Sequence, residues 1–232
     1  MMVELRKRFH EELAALEAEV DEVGMEAAEA VRLAVDGLIR RDRGQLDQVI
    51  AGDDRIDEKY MDMERRIFDC LATQTPVASD LRLLSALTHI NFHLERVGDQ
   101  AVNISKIAEA TANLPPQDTI LVRLQEMADV VVRMLRTAID AFSRRDLDLA
   151  WRLPVMDDPV DDLNRGMYRQ VVALAADPAA LEWGIQMNVV ARALERVGDN
   201  AVDIGEQVAF LLTGEFQEFT DASHPDAPPP TT

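Results

Sequence analysis

His93-Leu94-Glu95-Arg96-Val97-Gly98-Asp99-Gln100-Ala101-Val102-Asn103-Ile104 returns later in the chain as Ala193-Leu194-Glu195-Arg196-Val197-Gly198-Asp199-Asn200-Ala201-Val202-Asp203-Ile204. Nine of the twelve positions are identical at a spacing of 100 residues, which is the mark of an internal duplication. Earlier segments match at a spacing of 104: Val35-Asp36 with Arg40-Arg41-Asp42 against Ile139-Asp140 with Arg144-Arg145-Asp146, and Asp53-Asp54-Arg55-Ile56-Asp57 against Asp157-Asp158-Pro159-Val160-Asp161. The second copy is therefore four residues shorter between its Asp161 and Glu195, and the natural place for the loss is a connection, 73–80 in the first copy and 175–179 in the second.

Each copy reads as three helical segments. Leu13, Leu16, Val20, Val23, Ala27, Ala30, Ala34 and Leu38 recur at three- and four-residue steps, predicting a helix over 4–40. The cluster Arg40-Arg41-Asp42-Arg43-Gly44 turns the chain. A short helix to about residue 50 then leads into a second one over 54–72. A third, over 76–112, carries Leu83, Ala86, Leu87, Ile90, Leu94, Val97, Ala101 and Ile104 on one face, and Leu114-Pro115-Pro116 ends the copy. The second copy repeats the plan over 118–142, 146–153, 159–176 and 178–212. Strand signals are nearly absent. The expected fold is all-α, with two tandem, pseudo-symmetric antiparallel three-helix bundles over 1–113 and 114–215 and a disordered Pro-rich tail over 216–232.

Composition narrows the function. A net charge of −19 repels a phosphate backbone and argues against nucleic acid as partner, while suiting cations or a basic patch on another protein. The lone Cys70 implies no intramolecular disulfide and reads as a small buried side chain. The charged N-terminal stretch lacks a signal-peptide core, and no apolar run approaches the roughly 18 residues of a membrane span, so no membrane insertion and a cytoplasmic location are expected.

The chemistry-bearing pattern is acidic. Glu95 and Asp99 stand one helical turn apart, with Asn103 a turn further; Glu195, Asp199 and Asp203 repeat the stripe. Asp53 with Asp57, and Asp157 with Asp161, form a second pair in each copy. Around a hairpin tip near residue 75, Asp53 and Asp57 lie 22 and 18 residues before the tip and Glu95 and Asp99 lie 20 and 24 after it, so equal rise per residue brings all four level. A tip near Asp177 does the same for Asp157, Asp161, Glu195 and Asp199. Acids so gathered repel one another unless relieved by hard or borderline cations such as Mg, Mn, Fe or Zn, or by Arg96 and Arg196. A competing reading makes Asp54 and Asp158 helix N-caps, with Pro159 at the first helical position and Asp57 and Asp161 near the third. His89 and His93 point away from the acidic stripe and read as a solvated or partner-facing pair. Gly98 and Gly198, each costing about 1 kcal/mol in a helix, imply close helix approach or room beside the acids.

The repeated Leu-Glu-Arg-Val-Gly-Asp, followed by Ala-Val and by Asn103-Ile104 or Asp203-Ile204, resembles the signature of the PhoU family, and the likeness spans about residues 1–215. The resemblance implies two three-helix bundles side by side and a non-enzymatic cytoplasmic regulator of phosphate uptake and phosphate-starvation signalling. Such a protein links the ATPase subunit of a phosphate ABC transporter to a sensor histidine kinase, as a negative regulator, and tends to be a homodimer. It also implies metal held by the acidic motifs: Asp53, Asp57, Glu95, Asp99 and Asn103 in one site, and Asp157, Asp161, Glu195, Asp199 and Asp203 in the other, with Asp203 departing from the commoner Asn. The rival class is a carboxylate-rich metal-binding, iron-storage or di-iron bundle; such sites use Glu-x-x-His pairs on facing helices, and the chain has none. A purely structural helical scaffold without metal is the third reading.

Overall fold

The computed structural model describes residues 2–219. Seven helices follow one another among them: α1 (Met2–Arg40), α2 (Arg43–Gln74), α3 (Ser79–Ala110), α4 (Asp118–Arg144), α5 (Leu147–Ala150), α6 (Leu153–Val172) and α7 (Pro178–Thr213). The duplication is visible down to single turns. Arg41 and Arg145 both adopt a left-handed backbone, with φ 55°. The next residue then caps the following helix: Asp42 Oδ1 accepts from the Gln45 N–H at 3.1 Å, and Asp146 Oδ1 from that of Leu149 at 3.1 Å.

One expectation fails in both copies. The first repeat shows no break near residue 50: α2 runs unbroken through Asp53 and Asp54. Leu46, Val49, Ile56, Met63 and Ile67 form one buried stripe, and burying it outweighs the weak helix preference of Gly52. In the second repeat the break comes earlier than expected, at 151–152, where Pro154 near the start of α6 tolerates the missing N–H. Pro159 then lies inside α6 rather than at its start. Asp54 and Asp158 are therefore mid-helix residues, not caps, and Asp57 and Asp161 lie well inside their helices. The first-turn explanation for these acids is lost with the caps.

Helices α1, α2 and α3 pack as one bundle, and α4, α6 and α7 as the other with α5 appended. The hairpin registers follow from specific contacts. On α2 and α3, the Asn91 amide donates to the Tyr60 carbonyl at 3.0 Å, and the Cα of Gly98 faces Asp53 and Ile56. On α6 and α7, Gly184 faces Val171 and Gly198 faces Asp157. Both pairings place the tips where the sequence put them.

The bundles join along two antiparallel seams. At α1–α4, Arg145 Nη2 bonds Glu17 at 2.6 Å and Gly24 lies against Ile139. At α3–α7, His93 meets Asn200 while Arg82 reaches Gly214. A pseudo-twofold axis crosses both seams, and the buried residues of the two repeats merge into one continuous hydrophobic core.

The second repeat extends past 215. Phe216 stacks on Phe210 at 4.0 Å, and Phe219, 7% exposed, stacks on Trp151 at 4.7 Å. The Phe219 N–H donates to Glu206 Oε1 at 2.6 Å. Of the expected tail, Phe219 is thus buried against the second repeat while Phe216 stays exposed; 220–232 lies outside the described residues.

Candidate acidic sites

Each hairpin carries its acids at a common level. In the first, burial pushes the Asp53 carboxyl up to about 6, and the neighbouring charges of Asp57 and Asp99 push the same way. Glu95 is raised by burial and then by Asp99, Asp57 and Asp53, with Arg96 opposing. The four side chains therefore share one electrostatic environment. In the second hairpin, burial followed by Asp199, Asp161 and Glu195 raises Asp157 to about 7. Asp157 is also the most enclosed member, 8% exposed, and its Oδ1 has no hydrogen-bond partner.

The glycines of the motif make this possible. A Cβ on Gly98 would stand 3.2 Å from Asp53 Oδ1 and 3.3 Å from Ile56 Cδ1. At Gly198 the clash is worse: a Cβ would meet Asp157 Oδ1 well inside van der Waals contact. Each glycine is thus a notch in the last helix of its repeat, into which the aspartate of the facing helix lies. The helix-propensity cost secures the close approach.

The donor set is wholly oxygen, the chemistry of Mg, Mn or Fe rather than of soft metals, and the orphaned Asp157 Oδ1 is an acceptor lacking a donor. Among the described residues, however, no three His, Cys, Asp or Glu side chains converge tightly enough to hold one ion. The acids are gathered but not closed into a chelate. Asp161 is partly engaged, its Oδ2 accepting from Arg165 at 3.0 Å. Arg96 lies over the Phe92 ring, 4.8 Å from its centroid, rather than in an ion pair with the acids.

One residue of the sequence-derived set faces elsewhere. Asp203 faces the α3–α7 seam, with Oδ2 at 3.4 Å from His93 Nδ1, and it is not among the charges acting on Asp157. Asn103, its counterpart, is half-buried on α3. His93 corrects the reading of the histidines: it is half-buried, and its Nδ1 lies 2.9 Å from Asn200 Oδ1 in the other repeat. Only His89 of the pair is exposed. The sequence missed this contact because it depends on how two bundles cross. Glu206 was missed as well: burial raises it to about 7, while the Phe219 N–H it accepts holds it down. Its only sequence signal was an acidic residue amid the apolar pattern of the last helix.

Fold and sites together define a duplicated helical-bundle protein with one glycine-notched carboxylate cluster per repeat. A family model described as the PhoU domain matches residues 20–108 and again 124–208. The chain belongs to the PhoU family. It is 34% identical over 210 residues, 90% of this chain and 91% of the relative, to a phosphate-specific transport system accessory protein PhoU homolog of Caulobacter vibrioides (strain NA1000 / CB15N). The crystal structure of PhoU from Pseudomonas aeruginosa superposes with a TM-score of 0.84 at 31% identity, covering 89% of this chain and all of that one. The phosphate transport system regulatory protein PhoU from Streptococcus pneumoniae shares the fold, with a TM-score of 0.82 at 24% identity over 90% of this chain and 99% of that one.

Proposed function

We propose that this chain is a regulator of phosphate uptake and phosphate-starvation signalling, acting as a cytoplasmic accessory protein of a phosphate transport system. In this reading it couples the transporter's ATPase subunit to a sensor histidine kinase and restrains the starvation response when phosphate is plentiful. The observation that carries the reading is the double match to the family, with both copies of Leu-Glu-Arg-Val-Gly-Asp and both preceding aspartate pairs in place. That no helix among the described residues is long and apolar enough to cross a membrane fits a protein that meets its partners through its surface.

The acidic clusters are the proposed cation sites. Asp53, Asp57, Glu95 and Asp99 would hold a cation at one hairpin, and Asp157, Asp161, Glu195 and Asp199 at the other, once side-chain rotation closes carboxylates that stand apart in this structure. A bound cation would relieve the repulsion that raises Asp53, Glu95 and Asp157.

The test compares phosphate-regulated gene expression in a deletion strain, the deletion strain complemented with the natural chain, and one complemented with Glu95→Ala, Asp99→Ala, Glu195→Ala and Asp199→Ala combined. Derepression in high phosphate in the deletion strain, reversed by the natural chain, is expected. Unchanged repression on deletion removes the regulatory reading. Elemental analysis of purified natural and substituted protein tests the cation separately, and equal metal content in the two refutes the assignment of these carboxylates.

A further inference from the structure

A cavity of about 660 Å³ forms a groove between α1 and α2 of the first repeat, reaching α3 at Gly98 and Val102. Leu33, Val49 and Ile56 form its apolar floor, and Met25, 51% exposed, stands at its mouth. Gly52 opens the wall: a Cβ there would meet nothing within 4 Å. At the equivalent positions of the second repeat, Gly52 becomes Met156, Ala30 becomes Met134 and Val49 becomes Leu153. Met134 and Leu153 are fully buried and Met156 packs on the core, so there the same room is taken up by side chains. The groove is therefore a property of this repeat rather than an inevitable gap between three helices.

Its rim is acidic. Glu22, Glu26 and Glu29 lie along one face of α1, and Asp53 closes the opposite side. Each of the three glutamates has a basic partner in place: Lys59 lies 2.8 Å from Glu22 and 3.0 Å from Glu26, Arg55 lies 3.2 Å from Glu26, and Arg32 lies 2.6 Å from Glu29. Arg32 and Arg55 are themselves exposed, and pairs of that kind exchange readily for an incoming guanidinium. The whole chain, at −19, adds a negative field that favours a basic partner. The α1 lining runs from Glu22 to Leu33, about 16 Å or three turns of helix.

We propose that this groove receives an amphipathic helix of a protein partner, about three turns long, with its apolar face on Leu33, Val49 and Ile56 and Arg or Lys residues against Glu22, Glu26 and Glu29. The inference goes beyond the regulatory role and does not depend on it, since binding is measured with the purified chain alone.

The probe is a fluorescent designed helix of about fifteen residues, with Leu at i, i+3, i+4 and i+7 and Arg on the flanks. A composition-matched scrambled peptide and a Glu-flanked version are its controls. Gly52→Trp fills the groove without changing any charge, and circular dichroism with thermal melting establishes that the variant is folded. Anisotropy titration should show binding to the natural chain weakened on the order of thirtyfold by Gly52→Trp, and also weakened by Glu22→Lys with Glu29→Lys. Equal affinity for the natural chain and Gly52→Trp overturns the proposal. Equal binding of the scrambled peptide also overturns it, because charge alone would then be the attraction. If Gly52→Trp instead changes the sedimentation of the protein without peptide, the groove belongs to a second copy of the chain and the partner-helix assignment fails.

Discussion

Replacing Asp157 by Asn should stabilise the cation-free protein, and should do so only where the natural carboxyl is ionised. Burial and the charges of Asp199, Asp161 and Glu195 lift this group from an ordinary 3.8 to about 7. At about 1.4 kcal/mol per pH unit, that displacement corresponds to about 4 kcal/mol of folding free energy, an upper figure because the cluster is open to solvent on one side. The folded state binds this proton more tightly than the unfolded state does. The associated stability is fully present below pH 3.8, declines through the interval, and is lost once the pH has risen through about 7. Asn carries no charge at either extreme, and its amide can donate to the neighbouring carboxylates. Denaturant unfolding in the presence of a chelator should therefore place Asp157→Asn about 2–4 kcal/mol above the natural chain near pH 8.5, and level with it near pH 4. In a melt the gain should appear as roughly 2–4 °C for each kcal/mol. A gain of equal size at both pH values would mean that packing, not charge, limits stability at this position. A loss near pH 8.5 would refute the picture of an ionised carboxylate held at a cost.

Other consequences are as direct. Gly198→Ala should destabilise by about 1–3 kcal/mol, and Gly98→Ala by less, since the added methyl meets Asp157 inside contact distance but stands 3.2 Å from Asp53 Oδ1; paired thermal melts give the order. His93→Ala and Asn200→Ala should each cost about 1 kcal/mol, and a double-mutant cycle should return a coupling of about 0.5–1.5 kcal/mol if the 2.9 Å contact joins the repeats. Phe219→Ala should cost about 3 kcal/mol and red-shift tryptophan emission, because the ring it removes stacks on Trp151. Glu206→Gln, whose amide oxygen can still accept from the Phe219 N–H, should leave the same anchor in place, whereas Glu206→Ala should weaken it; an unchanged emission spectrum in Glu206→Ala would separate Glu206 from that packing.

Much of the fold was legible because the duplication repeats local chemistry. Arg41-Asp42 and Arg145-Asp146 mark the same left-handed turn and cap in both copies, and the apolar stripes of α3 and α7 are the faces found buried. Counting residues from the hairpin tips brought Asp53 and Asp157 to the motif glycines, because antiparallel helices of equal rise keep register over several turns. The reading failed where local cues compete with packing. Asp53-Asp54 looks like a helix start, yet Leu46, Val49 and Ile56 sit on one continuous stripe and their burial carries the helix through. Nothing in the local pattern of His93 reveals Asn200, and nothing around Phe219 announces Trp151, since both contacts are set by the joining of elements far apart in the chain. The site was legible as a level rather than as a geometry. Backbone register fixes which acids face one another, while side-chain torsions decide whether they close on a common point.

The unequal fate of the two copies follows from the same duplication. A gene doubled into two bundles across a pseudo-twofold starts with identical notches and identical acids. In the second repeat, Met134, Leu153 and Met156 fill the space beside the notch, and Asp157 is consequently enclosed and raised to about 7. In the first, Ala30, Val49 and Gly52 leave that space as a groove, Asp53 stays half-buried, and its carboxyl rises only to about 6. Desolvation is the first cause of both shifts, so packing around the notch contributes to the difference, together with Lys106, whose charge holds Asp53 down. It follows that filling the groove should make the first site resemble the second: Gly52→Met should raise the Asp53 carboxyl toward the Asp157 value. A carboxyl-resolved NMR titration that finds Asp53 unmoved in that variant would break the link between the open groove and the acidity of the site beside it.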